Sequence, residues 1–381
     1  MRITQKAIAK DLGVSFLTVS RVFNNSGYVS QELRSRILNY AKEKGYKPHR
    51  ASQILVRNTM RTIAVFSSTQ PEYFWNDVKK GVLQAAEQIK FFNYDVHYHM
   101  VPAFNTEKYC DLILKEIENG LDALAFVCQN VFDMNKIISI VENANIPYLF
   151  YNVDAPNTKR LCYIGANYQS GGKLAANFIG KALGLKRDSK ALVVGFTREE
   201  FLFPSMPDIN SERLEGFLSV IKERFPTVSS MVEYVSMKSW KGKNSFPELP
   251  TELTDSEAEQ QIMQIFQKYQ GKVDAVYFIP AFNDAYHHAL EHYDYKGLIT
   301  LQHDIDNSAL DYLENDLLTA VIFQDPVLQG YTVVRTLEGI LESKNKFQLK
   351  DIEIAHNLVF RDNINFLRNH YLMPEAAEEK L

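Results

Sequence analysis

The sequence predicts a small all-α helix-turn-helix domain followed by a two-lobed α/β core built from two parallel, doubly wound sheets. Three observations carry that expectation. The first sixty residues read as short helices joined by a Gly-containing turn. From Thr62 onward, short β-rich apolar runs alternate with amphipathic helices, the pattern of a parallel sheet covered on both faces. The charge is also divided. Residues 1–61 hold twelve Lys/Arg and three Asp/Glu, a net +9, whereas the remainder holds 30 basic and 43 acidic residues, a net −13. A basic head on an acidic body points to a polyanionic partner for the head alone.

In the head, Thr4 can cap a helix whose Ala7, Ile8 and Leu12 keep a helical period and which Gly13 ends. Ser15 can cap the next helix, "SFLTVSRVFN". There Thr18, Val19, Val22 and Phe23 share an inward side. Leu17, Ser20, Arg21 and Asn24 share the outward one, with Phe16 on the boundary at the tip. That outward side suits a reader of the DNA major groove. An arginine bonds guanine bidentately and apolar side chains meet thymine methyls. Ser15, Thr18 and Ser20 can reach phosphates, which the helix N-terminus also favours. A third helix from Ser30 buries Leu33, Ile37 and Ala41 and ends at Gly45, with Pro48 beyond. The linker "HRASQILVRNTM" is helix-compatible but only about two turns long, so it should order only against a partner.

The body offers "TIAVFSS", "YDVHYHM", "ALAFVC", "YLFYNV", "ALVVGF", "DAVYFIP", "LITLQHD" and "TAVIFQD" as strands. Eight to eleven strands over about 300 residues fit two sheets better than one. Ligands of such folds bind beyond the carboxyl ends of strands, so the residues after each run are the candidates. "SSTQPEYFW" offers Tyr73, Phe74 and Trp75, an aromatic wall for the C–H faces of a sugar ring or else part of the core. "YNVDAP" offers Asn152 and Asp154, and "NSERLEGF" offers Arg213. "FIPAFND" offers Phe282 and Asn283, "LQHDID" offers Asp304, and "IFQDP" offers Gln324.

Several classes are excluded. No run reaches the ~18 apolar residues of a membrane span. The start "MRITQKAIAKDLG" lacks the apolar centre of a signal peptide, so the chain is expected in the cytoplasm with no membrane partner. Cys110, Cys128 and Cys162 are far apart with no CxxC spacing, which argues against a disulfide framework and a zinc site. "GANYQSGGKL" is not a phosphate loop, because Asn167 stands where glycine is needed and Leu174 follows Lys173. There is no HExxH, no GxSxG and no paired metal-ligand spacing; adjacent His287 and His288 would point about 100° apart on a helix. No cofactor, metal or catalytic residue is expected.

The stretches "IAKDLGVS", "TVSRVFN", "VSQELRSRI" and "GYKPHRASQIL" resemble, almost without a break, the N-terminal module of the lactose/galactose repressor (LacI/GalR) family. "YIGANYQSGGKLAANFI", "ERLEGF" and "FQDPVLQGY" are similar, more loosely, to that family's effector core, which is of the type I periplasmic-binding-protein kind, ribose type. The resemblance implies that Phe16, Leu17 and Arg21 occupy base-reading positions and that Leu55 is wedged into the minor groove at the operator centre. The DNA-binding set expected on this basis is Thr4, Ser15, Phe16, Leu17, Thr18, Ser20, Arg21, Asn24, Arg50 and Leu55. It also implies that Arg213, Asp304 and Gln324 contact a hydroxylated ligand. One departure concerns the family's Asp-Arg pair after the fourth strand, which here reads Asn152-Val153. Asp154 would either substitute or be a solvated turn residue.

The expected division is a helix-turn-helix domain over 1–48, a hinge over 49–60, an effector-binding and dimerisation core over 61–370, and a tail over 371–381. Within the core, an N-lobe spans about 61–163 and 324–345 and a C-lobe about 164–323 and 346–370. The function expected is a transcriptional repressor whose affinity for double-stranded, pseudo-palindromic operator DNA is set by a small effector, a sugar or sugar derivative. A homodimer is the expected state, since "MPEAAEEKL" has no leucine heptads for a tetramerising coil. Two other readings stay open: a sensor of the same fold for a nucleoside or other polar metabolite, and an α/β enzyme with an added DNA module.

Overall fold

The structure, a computed structural model, describes residues 3–24, 28–44, 60–101, 106–128, 134–184, 188–198, 208–237, 253–280, 283–343 and 349–364. Local sequence explains the head almost entirely. Helix α1 (Gln5–Leu12) begins where the Thr4 hydroxyl accepts the Ala7 amide, and ends at Gly13. Gly13 has φ 67°, a left-handed conformation in which glycine pays no Cβ penalty. After this tight turn, Ser15 Oγ accepts the Thr18 amide at 3.0 Å and starts α2 (Phe16–Asn24). Ser30 caps α3 (Gln31–Glu43) in the same way. The inward stripes meet in one small core of Ile8, Ala9, Val19, Val22, Ile37 and Ala41. Leu33, Phe23 and Tyr40 close its margin, and the Tyr40 hydroxyl donates to Asp11 Oδ2 at 2.9 Å, tying α3 to α1.

Two six-stranded sheets make the body. The first contains β1 (Arg61–Ser68), β2 (Tyr94–Val101), β3 (Leu121–Phe126), β4 (Tyr148–Tyr151), β5 (Tyr163–Gly165) and β11 (Ile352–Glu353), in the order β11-β5-β4-β3-β1-β2. The second contains β6 (Ser189–Arg198), β7 (Val228–Met237), β8 (Ala275–Phe278), β9 (Ile299–His303), β10 (Ala320–Phe323) and β12 (Asn357–Val359), in the order β12-β10-β9-β8-β6-β7. β12 runs antiparallel to β10, while β10, β9, β8, β6 and β7 are parallel. Every residue of β4, β8 and β10 is buried, which is why their sequences read as unbroken apolar runs.

Helices α4 (Glu72–Ile89), α5 (Thr106–Glu118), α6 (Met134–Asn143) and α12 (Pro326–Glu342) accompany the first sheet. Helices α7 (Tyr168–Leu183), α8 (Ile209–Arg224), α9 (Leu253–Tyr269), α10 (Asn283–His292) and α11 (Asn307–Glu314) accompany the second. The two-residue period of a strand divides the second sheet's core. Ala191 and Val193 pack with Ala176 of α7 and Phe217 of α8, whereas Leu192 and Val194 pack with Phe266 of α9 and Tyr286 of α10. Glycines let helices cross at backbone contact. A Cβ on Gly172 would stand 1.8 Å from the Arg213 carbonyl oxygen, and one on Gly216 would stand 2.1 Å from that of Gln169, so α7 and α8 touch there.

The chain passes between the sheets after β5, after β10 and between β11 and β12. The last passage lies later than the expected boundary at 345/346. Ile352 pairs with Ile164 on the open flank of β5, so β11 still belongs to the first sheet, and the return falls at 354–356. A two-residue strand has no periodicity to announce it. No described helix is long and apolar enough to cross a membrane. All three cysteines are free and buried, and burial pushes the Cys128 thiol up to about 12.

Candidate DNA-reading helix and effector cleft

On α2 the buried side is filled by Val19 and Val22, at 0% and 1% exposure, which fixes the helix's rotation. That rotation leaves Phe16 48% and Leu17 57% exposed at its first turn, with Arg21 also exposed one turn later. Two adjacent apolar side chains thus stand exposed in the first turn of a helix packed from behind, with an exposed arginine in its last turn. Such a helix end is what enters a major groove. Ser20 is half-buried on the flank. Ser15 and Thr18 hydroxyls lie 2.8 Å apart and are engaged in capping, as is that of Thr4 on α1. Asn24 is the last residue of α2. Arg50, Leu55 and Phe282 lie outside the described residues.

The second site gathers at strand ends. Asp304 follows β9, Gln324 follows β10, Asn283 opens α10 after β8, and Tyr73 lies in the first turn of α4 after β1. Arg213 comes from α8, positioned where that helix meets Gly172. Gln324 Nε2 donates to Asp304 Oδ1 at 2.9 Å and Oδ2 at 3.1 Å. Arg213 Nη2 stands 3.7 Å from Asp304 Oδ2, and its guanidinium lies 5.4 Å from the centre of the Tyr168 ring. From the opposite lobe, the Tyr73 hydroxyl meets Asn283 Nδ2 at 3.5 Å. Asp304 takes a left-handed backbone, φ 63°, as do Asn152 (60°) directly after β4 and Asp325 (51°) at the passage after β10. Asn and Asp tolerate that region better than other side chains.

The electrostatics are those of a buried polar cluster. Burial raises the Asp304 carboxyl, and Arg213 and the Gln324 amide pull it partly back. Burial also holds the Tyr73 phenol well above its ordinary range, reinforced by the charge of Asp304. Among the described residues, Arg213 Nε, Asn283 Oδ1 and Gln324 Oε1 are buried with no hydrogen-bond partner. Leaving such groups unmet costs about 1–3 kcal/mol each, which a hydroxylated ligand would recover.

Other candidates are used by the scaffold. Asp154 is tied into the scaffold rather than left as a solvated turn: Arg160 Nε reaches its Oδ1 at 2.6 Å, and Arg160 also binds Asp351 Oδ1 at 2.7 Å. The pair locks the turn after β4 to the segment before β11. Asn152 follows β4, where its side-chain amide donates to Gln329 at 3.4 Å and its backbone carbonyl accepts the Tyr163 and Tyr168 hydroxyls. Phe74 and Trp75 are each 4% exposed and packed edge to face, and the Trp75 indole donates to the Gln70 carbonyl at 2.8 Å. Of the three expected wall residues, Tyr73 is the one bonded to the opposite lobe.

Sequence reasoning missed His303 and His356. Their rings lie 6.3 Å apart beside Gly171, and both feel Arg213. His303 Nε2 meets the Tyr277 hydroxyl at 2.6 Å. His303 directly precedes Asp304, which was a usable signal; His356 had none. Burial, then the Arg213 charge, pushes His356 down to about 4 from 6.5. The unfolded chain therefore binds more protons below pH 6.5, and stability present above that pH is lost as pH falls toward 4. The slope from this one group reaches about 1.4 kcal/mol per pH unit. His356→Gln is expected to flatten it in urea titrations between pH 7 and 4.5; equal slopes would refute the assignment.

Comparison with known proteins agrees with this layout. Residues 4–49 match the lacI family of bacterial regulatory proteins, and residues 63–345 match the periplasmic binding protein domain. The HTH-type transcriptional regulator DegA of Bacillus subtilis is 24% identical over 156 residues, 41% of this chain and 45% of DegA. The chain thus spans about half the length of such curated relatives. A LacI transcriptional regulator of Bacteroides fragilis shares the fold with TM-score 0.65 and 16% identity, over 81% of this chain and 99% of that one. A solute-binding protein of Burkholderia graminis, solved in complex with D-arabinose, does so with TM-score 0.63 and 19% identity, over 81% and 98%.

Proposed function

We propose that this chain, which belongs to the lacI family of bacterial regulatory proteins and carries a periplasmic binding protein domain as its body, is a cytoplasmic transcriptional repressor controlled by a small hydroxylated effector. The observation that carries the reading is α2, whose exposed Phe16, Leu17 and Arg21 are backed by a fully buried Val19 and Val22. The head's net +9 supports attraction to phosphates. Two copies would read a pseudo-palindromic operator as a homodimer, each head taking one half-site, with Leu55 wedged into the minor groove between them.

The effector would bind between the lobes, bridged by Arg213, Asp304 and Gln324 from one side and Tyr73 from the other. A carboxylate and a guanidinium side by side suit adjacent hydroxyls, and a sugar or sugar derivative is the ligand of that chemistry. The coupling is reciprocal: a ligand that weakens operator binding is itself held more weakly by the DNA complex. The purified chain should show a salt-sensitive preference for one palindromic duplex over random DNA in anisotropy titrations, and a sugar found by thermal-shift screening should change it. No preference for any palindrome, whatever the salt, would overturn the reading.

A further inference from the structure

Strand β2 and helix α5 hold a second cluster of ligating groups that neither the head nor the cleft uses. His97 and His99 are two residues apart on β2, so both rings leave the same face of the strand. Glu116 of α5 reaches between them. Its Oε2 lies 2.7 Å from His97 Nδ1 and its Oε1 lies 2.8 Å from His99 Nε2. One ligand atom from each residue falls within 4.8 Å of the other two. The His99 ring is stacked on Phe66 at 4.7 Å, which restrains its plane. Glu116 is 6% exposed, while the His97 and His99 side chains are 35% and 24% exposed, so the cluster is backed by protein and open on one flank.

We propose that His97, His99 and Glu116 bind one divalent cation of the zinc class. Two imidazole nitrogens and one carboxylate oxygen are a donor set zinc accepts, with water completing a tetrahedron. Calcium and magnesium prefer oxygen donors and fit this set poorly. Bonds of about 2.0–2.2 Å to zinc place tetrahedral donors roughly 3.3 Å apart. From contacts of 2.7 and 2.8 Å the carboxylate would open by about half an ångström, while the donor atoms, which lie within 4.8 Å of one another, would draw in to about 3.3 Å to admit the ion. With neutral rings the cluster carries one negative charge, which a cation offsets. The bound ion would pin β2, at the edge of the first sheet, to α5, and so couple metal to the stability of that lobe.

The test uses the full chain without a histidine tag, titrated with Zn2+ by calorimetry and with Co2+ by visible absorption. The expected result is one ion per chain, tetrahedral Co2+ bands that Zn2+ displaces, and a raised melting temperature. His97→Ala and His99→Ala should each weaken Zn2+ at least tenfold, and the partly exposed His97 serves should the His99 variant not fold. His288→Ala, which removes the separate contact at 2.9 Å between His288 of α10 and Glu259 of α9, should leave the affinity unchanged. Octahedral Co2+ spectra alone, binding that survives both β2 substitutions, or binding lost with His288→Ala would each overturn the proposal.

Discussion

Alanine in place of Arg21 is expected to cut discrimination between the preferred operator and a single-base variant by roughly tenfold to a hundredfold, the equivalent of about 1–3 kcal/mol for one bidentate contact with guanine. The expectation follows from how α2 is held. Val19 and Val22 anchor the helix from behind, and Arg21 is exposed, so its removal touches no core atom. The melting behaviour of the head should stay the same while selectivity falls. Exchanging Phe16 and Leu17 for serine should redirect which thymine-bearing positions are preferred, again with little change in affinity for random DNA. Competition binding against a panel of single-base variants reads both effects. A loss spread evenly over every duplex, with the salt slope reduced by about one, would make Arg21 a phosphate contact and sink the assignment.

The second large effect is expected from Gly172→Ala. The added Cβ would fall 1.8 Å from the Arg213 carbonyl and 2.9 Å from the Phe217 amide. Both are backbone, so no side chain can rotate away, and α7 and α8 must separate. Overpacking of this kind costs typically 1–3 kcal/mol, and the rigidity here argues for the upper end, about 3 kcal/mol. The displaced segment carries Arg213, whose guanidinium holds its place beside Asp304 and over the Tyr168 ring. Effector affinity should therefore fall together with stability. Gly180→Ala, at the far end of α7 against the Phe225 ring, separates the two effects. It should destabilise while leaving effector affinity close to wild type, measured by calorimetry below the melting transition. Equal loss of affinity in both variants would mean that Arg213 is not positioned by the α7–α8 crossing.

The head was legible nearly residue by residue because its determinants are local. Thr4, Gly13, Ser15 and Ser30 act on backbone within four positions, and the apolar stripes of α1, α2 and α3 leave one way to close a three-helix core. The body was legible where strands are buried on both faces, as in β4, β8 and β10. Strand β7 escaped notice because it is an edge: Val228–Met237 carries Ser229, Ser230 and an exposed Tyr234, with no apolar run to mark it. β5, β11 and β12 have three residues or fewer and exist only because a neighbour's edge is open to them.

The sequence by itself determined the two kinds of unit, the outward face of α2, the positions of Tyr73, Asn283, Asp304 and Gln324 after strands, and that of Arg213 near a helix start. Each follows from a period of 3.6 or 2 and from the side on which the polar residues fall. Only the tertiary structure decided which polar groups meet. Asp154 was lost to Arg160 because Asp351, 191 residues beyond that arginine, completes the same ion-pair cluster. His303 and His356 converge across 53 positions, and His97 and His99 find Glu116 on another element. A side chain's partner is set by whatever packs opposite it, and that is a property of the assembled layers rather than of neighbours along the chain.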